Sequence, residues 1–400
     1  MLRSNVSRVV LLTFFARLHF YLHASSLYFV ARGLSLFEVN ALDSIVLLSV
    51  FLAEVPTGII ADRIGRKWSV VIGLLCHATG ELLVLFGQSF PAFAAMCVLI
   101  GTGFAFQSGS IESLVYDTLP EKGRESAMKR AMGSIGSAGN LGFVISPLLG
   151  SLIVAGLTQD QFARAIVLTA GSIYLAALFA LTLKEPPTPW ESARPHPLSI
   201  LRGGLGELRA SRPLQRIAGV TIFLAFGGAL IALAPPHLVA HDAPTLLIGA
   251  SLAFGSLLAT FTQKYAYRLE SLLGRRAGLV AATTLPGLLF LLLAWASGAY
   301  PIFILVVLIY GAGPLRVPLM SAYQNGHISS GRRATVLSLI NMLAMLWSAI
   351  GALIAGALAD YSIPLVFALT GVVMLLAVAA FRVDKIPLEA KPDLQPQTAD

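Results

Sequence analysis

Apolar runs of about twenty residues alternate with short polar or basic breaks along the whole chain. Marked between polar, Gly or Pro interruptions, they predict twelve helices, at 8–31, 40–61, 68–88, 91–117, 133–156, 163–183, 214–238, 244–267, 277–297, 300–325, 334–358 and 363–382. A helix needs roughly 20 residues to cross a ~30 Å hydrocarbon core, so each run is long enough for one crossing. The first run follows Arg3 and Arg8 as a signal peptide would. Its length and the interruptions Arg17, His19 and His23 predict a retained helix instead. The pattern therefore predicts an all-α polytopic membrane protein of twelve transmembrane helices in two pseudo-symmetric six-helix bundles, 1–183 and 214–382.

Between the bundles lies 184–213, where Pro186, Pro187, Pro189, Pro195, Pro197 and Pro213 prevent a continuous helix. It reads as a cytoplasmic linker loop. Leu198, Leu201, Leu205 and Leu208 keep helical spacing within it and predict a stretch lying along the membrane surface. The polar, Pro-bearing segment 383–400 reads as a disordered cytoplasmic tail.

Composition strengthens this picture. Of 400 residues, 56% are apolar and 12% charged, whereas a soluble chain carries roughly 25% charged residues. The net charge of +8 invites a nucleic-acid reading until the basic residues are placed. Sorted by segment, 24 of the 28 Lys and Arg fall in alternate segments that include both termini, two (Arg32 and Arg164) fall in the opposite loops, and two (Arg17 and Arg316) fall inside helices. Positive charge is retained on the cytoplasmic side, so the termini are predicted to be cytoplasmic in a multi-pass protein of the cell membrane. No nucleic-acid partner is needed to explain the charge. Cys76 and Cys97 lie in apolar runs without paired spacing, which supports neither a disulfide framework nor a zinc site.

The halves echo one another, as in internally repeated transporters. Gly65-Arg66-Lys67 after the second helix corresponds to Gly274-Arg275-Arg276 after the eighth, and Arg124 corresponds to Arg332. The stretch GIIADRIGRK, Gly58 to Lys67, contains Gly58, Asp62, Arg63, Gly65, Arg66 and Lys67 in the pattern GxxxDRxGRK. Physically, Asp62 ends a descending helix, Gly65 permits a tight turn, and Arg66 and Lys67 anchor the next helix at the interface. By this pattern the chain resembles the major facilitator superfamily of secondary transporters, and by its fifth helix, below, the twelve-helix drug/proton antiporter branch. The resemblance implies a conformational latch formed by Asp62, Arg66 and Asp117, with Gly58 allowing close helix contact. The second copy has Ser271 in place of Asp62 and Tyr267 in place of Gly58, which implies a latch on one side only.

The fifth helix carries Gly133, Gly142, Pro147 and Gly150 at the spacing of that branch's export-associated motif, with Ser146 and Ser151 replacing two glycines. Small residues at this spacing predict close packing against a helix of the other half, or generic membrane packing. The branch's usual arginine in the middle of the fourth helix is missing between Ala94 and Gly109.

Charges inside the bilayer cost ~2.5 to 3.5 kcal/mol each at mid-helix, so they point to a cavity or a partner. Arg17, Glu112 and Arg316 lie on the first, fourth and tenth helices, three of the four that line the cavity in the resembled fold. Arg17 and Arg316 could bind an anionic headgroup, or Arg17 could pair with Glu112. Glu112, which can titrate in a wet cavity, is the first choice for proton coupling, against a structural ion pair. His19 and His23 share one face of the first helix and are relay candidates. His77 and Glu81 are expected to satisfy each other on a peripheral third helix. Glu54 is expected as a structural partner near the latch. Pro314 and Pro318 predict a local break beside Arg316. Tyr323, Gln324 and Asn325, with Tyr116, are expected to contact substrate or close an inner gate, and Phe223 and Phe226 to form an apolar cavity wall.

No GxxxxGK[ST] phosphate loop, HExxH or GxSxG occurs, so neither ATP-driven transport nor an intramembrane enzyme is supported. No motif calls for a metal or an organic cofactor. The reading is a monomeric secondary transporter in the lipid bilayer, exporting an amphipathic small molecule against protons. The alternative is uptake of an anionic metabolite or lipid-like solute. A channel or a transport-like sensor fits less well, because two pseudo-symmetric halves suit alternating access and the tail offers no signalling domain.

Overall fold

A computed structural model describes residues 4–185, 205–206, 208–209, 211–328 and 333–386. Among these, every regular element is helical and eleven helices are long and apolar enough to cross a bilayer. The first crossing is divided between two shorter apolar helices, α1 (Asn5–Ala16) and α2 (Ser25–Ala31). The protein is an all-α polytopic membrane protein of twelve spans. Its lipid-facing surface shows in large apolar side chains left outside any protein core, such as Leu52 at 69%, Leu178 at 59%, Leu292 at 59% and Leu376 at 61% exposure. In a bilayer these lie against acyl chains, while the helical backbone keeps its polar groups bonded within the protein.

The remaining helices of the first half are α3 (Leu36–Ile64), α4 (Arg66–Leu83), α5 (Phe90–Gln107), α6 (Ser110–Thr118), α7 (Arg124–Ile153) and α8 (Gln159–Leu181). Those of the second half are α9 (Arg212–Leu224), α10 (Leu230–Val239), α11 (Thr245–Lys264), α12 (Ala266–Leu273), α13 (Arg275–Trp295), α14 (Ala299–Ala312), α15 (Arg316–His327), α16 (Arg333–Ala359) and α17 (Ile363–Ala380). Helix starts follow local chemistry. Ser35 and Thr158 open α3 and α8 with reciprocal capping boxes to Glu38 and Gln161.

Contacts group the chain into two compact units, Met1–Ser192 with Ile231–Ala253, and Ala193–Leu230 with Phe254–Asp400. The first has a core of Val70, Leu74, Leu114 and Ile173. Residues 231–253 join it because Ala232 sits among Tyr21, Tyr28 and Phe162, and because Gly249 lets α11 lie against Pro147 and Ser151 of α7. In the second unit Leu208 packs with Leu214, Ala218, Ile328 and Val336. Most of the 184–213 segment, Leu198 and Leu201 included, and the tail beyond Ile386 lie outside the described residues.

Several spans are interrupted where the hydrophobic pattern is continuous. The helices α3, α7 and α16 run unbroken for 29, 30 and 27 residues. The first span breaks between Ala16 and Leu22, the fourth at Ser108–Gly109, the seventh in a tighter 3-10 turn at Ala225–Ala229, and the tenth in another at Gly313–Leu315. The eighth breaks at Tyr265. Of these, the sequence predicts only the tenth, from its prolines. The fourth breaks because Gly109 takes φ +69° after an extended Ser108, a backbone change that hydropathy does not register.

The repeat is visible in the backbone. Gly65 has φ +95° and ψ 155°, and its counterpart Gly274 has φ +81° and ψ 156°, a region open essentially to glycine alone. A Cβ at Gly65 would meet the Glu185 carboxyl carbon at 2.9 Å, whereas among the described residues nothing lies within 4 Å of one at Gly274. Gly274→Ala is therefore expected to cost about 1–3 kcal/mol from backbone strain alone, and Gly65→Ala to cost more. Thermal unfolding of the two purified variants in detergent checks the order, and equal melting temperatures would remove Glu185 from the account.

Candidate functional site

The break in the first span places Arg17 as the C-cap of α1, with its N–H donating to the Thr13 and Phe14 carbonyls. Hydroxyl groups of α8 satisfy the opened backbone beyond it: Phe20 N–H donates to Thr169 Oγ1 at 2.9 Å, and Ser172 Oγ donates to the Leu18 carbonyl at 3.1 Å. The Arg17 side chain is exposed and has no hydrogen bond or ion pair among the described residues. The break in the fourth span puts Glu112 in the first turn of α6, where the helix N-terminus favours a carboxylate. Arg17 and Glu112 line one cavity of about 340 Å³ within the first unit, together with His19, His77, Gln107 and Ile135. Both line this cavity without forming the ion pair that the sequence suggests.

The histidines depart from expectation. His19 and His23 do not share a helix face, because the break separates them. His19 faces the cavity, while His23 is 2% exposed and packs where a Cβ on Gly150 would lie. His77 and Glu81 are not an isolated peripheral pair. Glu81 Oε1 lies 3.6 Å from His77 Nε2 and 3.9 Å from His19 Nδ1, and Tyr21 donates its hydroxyl to Glu81 Oε2 at 2.5 Å. The four side chains form one buried cluster, visible only once the first span is broken and folded against α4.

At the α3–α4 turn, Arg66 pairs with Asp117 of α6 and donates from Nη1 to the Ser113 carbonyl at 2.9 Å. Asp62 and Arg63 are exposed in the last turn of α3, and Gly58 is half-buried one turn earlier. Glu54 is exposed and has no ion pair among the described residues. Lys67 lies over the Trp68 ring, 5.4 Å from its centroid. Sequence reasoning missed Glu185. Its carboxylate accepts from the backbone N–H groups of Arg66 and Lys67, each at 2.7 Å, and so caps α4. A lone glutamate at a linker carries no signal for that role.

The small residues of α7 divide between two neighbours. Cβ atoms added at Gly139 and Gly142 would meet α1, at Thr13 Cγ2 (3.2 Å) and the Phe14 carbonyl oxygen (2.7 Å). Gly150 lies against Phe20, Pro147 and Ser151 lie against Gly249, and Gly133 faces open space. Gly139, Gly142 and Gly150 thus seat the broken first span, and the Pro147–Ser151 end of the motif meets α11.

In the second unit, Arg316 begins α15 and is half-buried. Its Nη1 donates to the Gly313 carbonyl at 3.0 Å and its Nη2 to the Leu224 carbonyl at 3.4 Å. It thereby serves two carbonyls freed by the breaks in the tenth and seventh spans. Arg316→Ala is expected to destabilise the protein by about 2 kcal/mol or more, since each of the two part-buried carbonyls left without its donor costs about 1–3 kcal/mol. Arg316→Lys, which restores one donor, should recover part of the loss in a thermal melt.

Tyr323 donates to Glu270 Oε1 of α12 at 3.0 Å, and Gln324 Nε2 donates to Thr221 Oγ1 at 3.2 Å. Both are engaged within the unit, and the Asn325 side chain lies outside the described residues. Tyr116 is exposed under the Arg124 guanidinium. Phe223 and Phe226 pack around Trp347, with ring centroids 4.6 and 6.0 Å away, and so form an aromatic cluster within the unit.

The family model described as Major Facilitator Superfamily matches residues 9–313 and 265–399. Multidrug resistance protein 1 of Bacillus subtilis is 24% identical over 340 residues, covering 82% of each chain. The class G tetracycline resistance protein of Vibrio anguillarum is 25% identical over 309 residues, 74% of each. Among solved structures, a mutant of the nucleoside transporter NupG superposes with a TM-score of 0.81 at 15% identity, over 96% of this chain and all of that one. At that identity the likeness is one of fold.

Proposed function

Because the chain belongs to the Major Facilitator Superfamily, we propose that it exports amphipathic small molecules across the cell membrane by alternating access, driven by protons moving inward. The observation carrying this reading is the cavity of the first unit, where Arg17 and Glu112 stand at breaks in two helices with no ion pair among the described residues. Broken helices put backbone dipoles and charged side chains at the middle of a span, where substrate and ion sites form. Glu112 is accessible to a proton and to a cationic part of a substrate, so the two can compete for one carboxylate. The relatives named for multidrug and tetracycline resistance support export.

In this reading both termini are cytoplasmic, following the 24 to 2 split of basic residues. The Arg66–Asp117 pair, with Asp62 and Gly58, forms the latch that stabilises one end state. The transporter works as a monomer in the bilayer. The alternative of an anionic substrate held by Arg17 and Arg316 is weakened by the two backbone carbonyls that already occupy Arg316.

Proteoliposomes with an imposed pH gradient and a fluorescent lipophilic cation inside test the proposal. Export is expected to follow the gradient and to collapse with an ionophore. Movement of the cation unaffected by the gradient would overturn proton coupling, and ion current without saturation would indicate a channel.

A further inference from the structure

We infer that Tyr21, His19, His77 and Glu81 form a buried proton-binding site, opening through its two imidazoles onto the cavity of the first unit. This deepens the proposed function, on whose proton coupling its transport role rests. The donor atoms of His19, His77 and Glu81 all lie within 4.8 Å of one another. The side chains are enclosed, with exposures of 5%, 8%, 1% and 7% for Tyr21, His19, His77 and Glu81. Tyr21 holds Glu81 Oε2, which leaves Oε1 turned to the imidazoles. Both ring nitrogens of His77 lack a hydrogen-bond partner among the described residues. Buried polar atoms are normally satisfied, so these are spare capacity at the carboxylate.

Charge counting decides what occupies the site. With Glu81 ionised and both imidazoles neutral, the cluster is a buried anion, a state costly without compensation. One proton, on either imidazole or on the carboxyl, makes it neutral. A second proton, or a divalent metal ion, would leave a net positive charge close to Arg17. The ionisable groups facing the cluster are Arg17 from α1, Tyr28 from α2, Cys97 from α5 with Asp43 of α3 behind it, and Glu112 of α6 across the cavity. From α8, Tyr174 is bound to Thr79 of α4, which lies between His77 and Glu81 in sequence. Arg17 is the one cation among them, and it weighs against the second positive charge.

His19 and His77 line the cavity and Glu81 does not, so the imidazoles are the route by which the proton passes. On release, an imidazolium N–H gives its proton to the cavity, to water or to the Glu112 carboxylate, and Glu81 is left ionised. Uptake reverses this. A substrate cation entering the cavity repels the proton outward, which links one proton to one positive charge on the substrate.

Purified full-length protein in unbuffered detergent solution, titrated with a pH electrode, reads the site directly. Between alkaline and neutral pH, above the range in which an ordinary carboxylate takes up its proton, wild type should bind one proton more per molecule than Glu81→Gln. Adding the lipophilic cation tetraphenylphosphonium should release about one proton per cation bound by wild type and none from Glu81→Gln. If Glu81→Gln does not fold, Tyr21→Phe and His77→Gln carry the test, each shifting the titration midpoint. Equal proton counts in wild type and Glu81→Gln would overturn the site. So would stoichiometric zinc binding by wild type that disappears in Glu81→Gln without any difference in proton count. The titration is independent of transport, so a wild type that ignores the pH gradient in proteoliposomes refutes the proposed function and leaves the site standing. Gradient-driven export that survives in Glu81→Gln refutes the transport role of the site and leaves the proposed function standing.

Discussion

Gly150→Leu is expected to abolish the yield of folded, monodisperse protein, and Gly150→Ala to lower its melting temperature sharply. A Cβ at this position falls on the Phe20 carbonyl and comes within 2.7 Å of His23 Cε1. The Phe20 backbone cannot turn aside, because its N–H donates to Thr169 of α8 and the neighbouring Leu18 carbonyl is held by Ser172. Overpacking of this kind costs roughly 1–3 kcal/mol for a small addition and more for a large one. Total stability of a folded chain is only about 5–15 kcal/mol. The same substitution at Gly133, where nothing lies within 4 Å, should be neutral or slightly stabilising, since alanine favours a helix by about 1 kcal/mol over glycine. Size-exclusion profiles and melts of Gly150→Ala, Gly150→Leu and Gly133→Ala check this. Equal behaviour of the two alanine variants would show that the α7 glycines do not seat the first span.

Glu112→Gln is expected to reduce gradient-driven export of a lipophilic cation at least about tenfold, with folding and melting temperature close to wild type. A factor of ten corresponds to about 1.4 kcal/mol in free energy, well below what a lost charge–charge contact in a partly dry cavity can supply. The side chain is exposed in the first turn of α6 and has no ion pair among the described residues. Replacing it therefore breaks no structural contact and removes only the titratable charge. Arg17→Gln, on the opposite wall, should act in the other direction on affinity, because a cation that repels cationic substrate is removed. Transport by both variants against wild type, normalised to reconstituted protein, measures this. A Glu112→Gln protein exporting at the wild-type rate would remove Glu112 from the coupling path.

Much of the architecture is legible in the chain itself. Twelve apolar runs, the one-sided basic segments and the GxxxDRxGRK turn lead to the fold and the family without reference to coordinates. That is physically reasonable, because a bilayer accepts only segments that are apolar, helical and long enough, so composition and period leave little choice. The matching backbone of Gly65 and Gly274 follows from the same turn chemistry. The tenth break was announced by Pro314 and Pro318.

Hydropathy does not show the breaks in the first and fourth spans, because polar residues such as Arg17, His19, Gln107 and Ser108 interrupt an apolar run without ending it, and no proline marks the place. With the first span read as continuous, His19 and His23 fell on one face and Tyr21 carried no role. Only the tertiary structure turns His19 toward the cavity, Tyr21 toward Glu81 and His23 toward Gly150. It also brings Arg316 onto the Gly313 and Leu224 carbonyls. Local sequence determined that these segments are helices in lipid, because that depends on each segment's own period and polarity. Which polar side chains meet depends on where helices break and how closely glycines let them approach. Those are long-range contacts between segments 60 and more residues apart, as for Tyr21 and Glu81, and no periodicity along one segment encodes them.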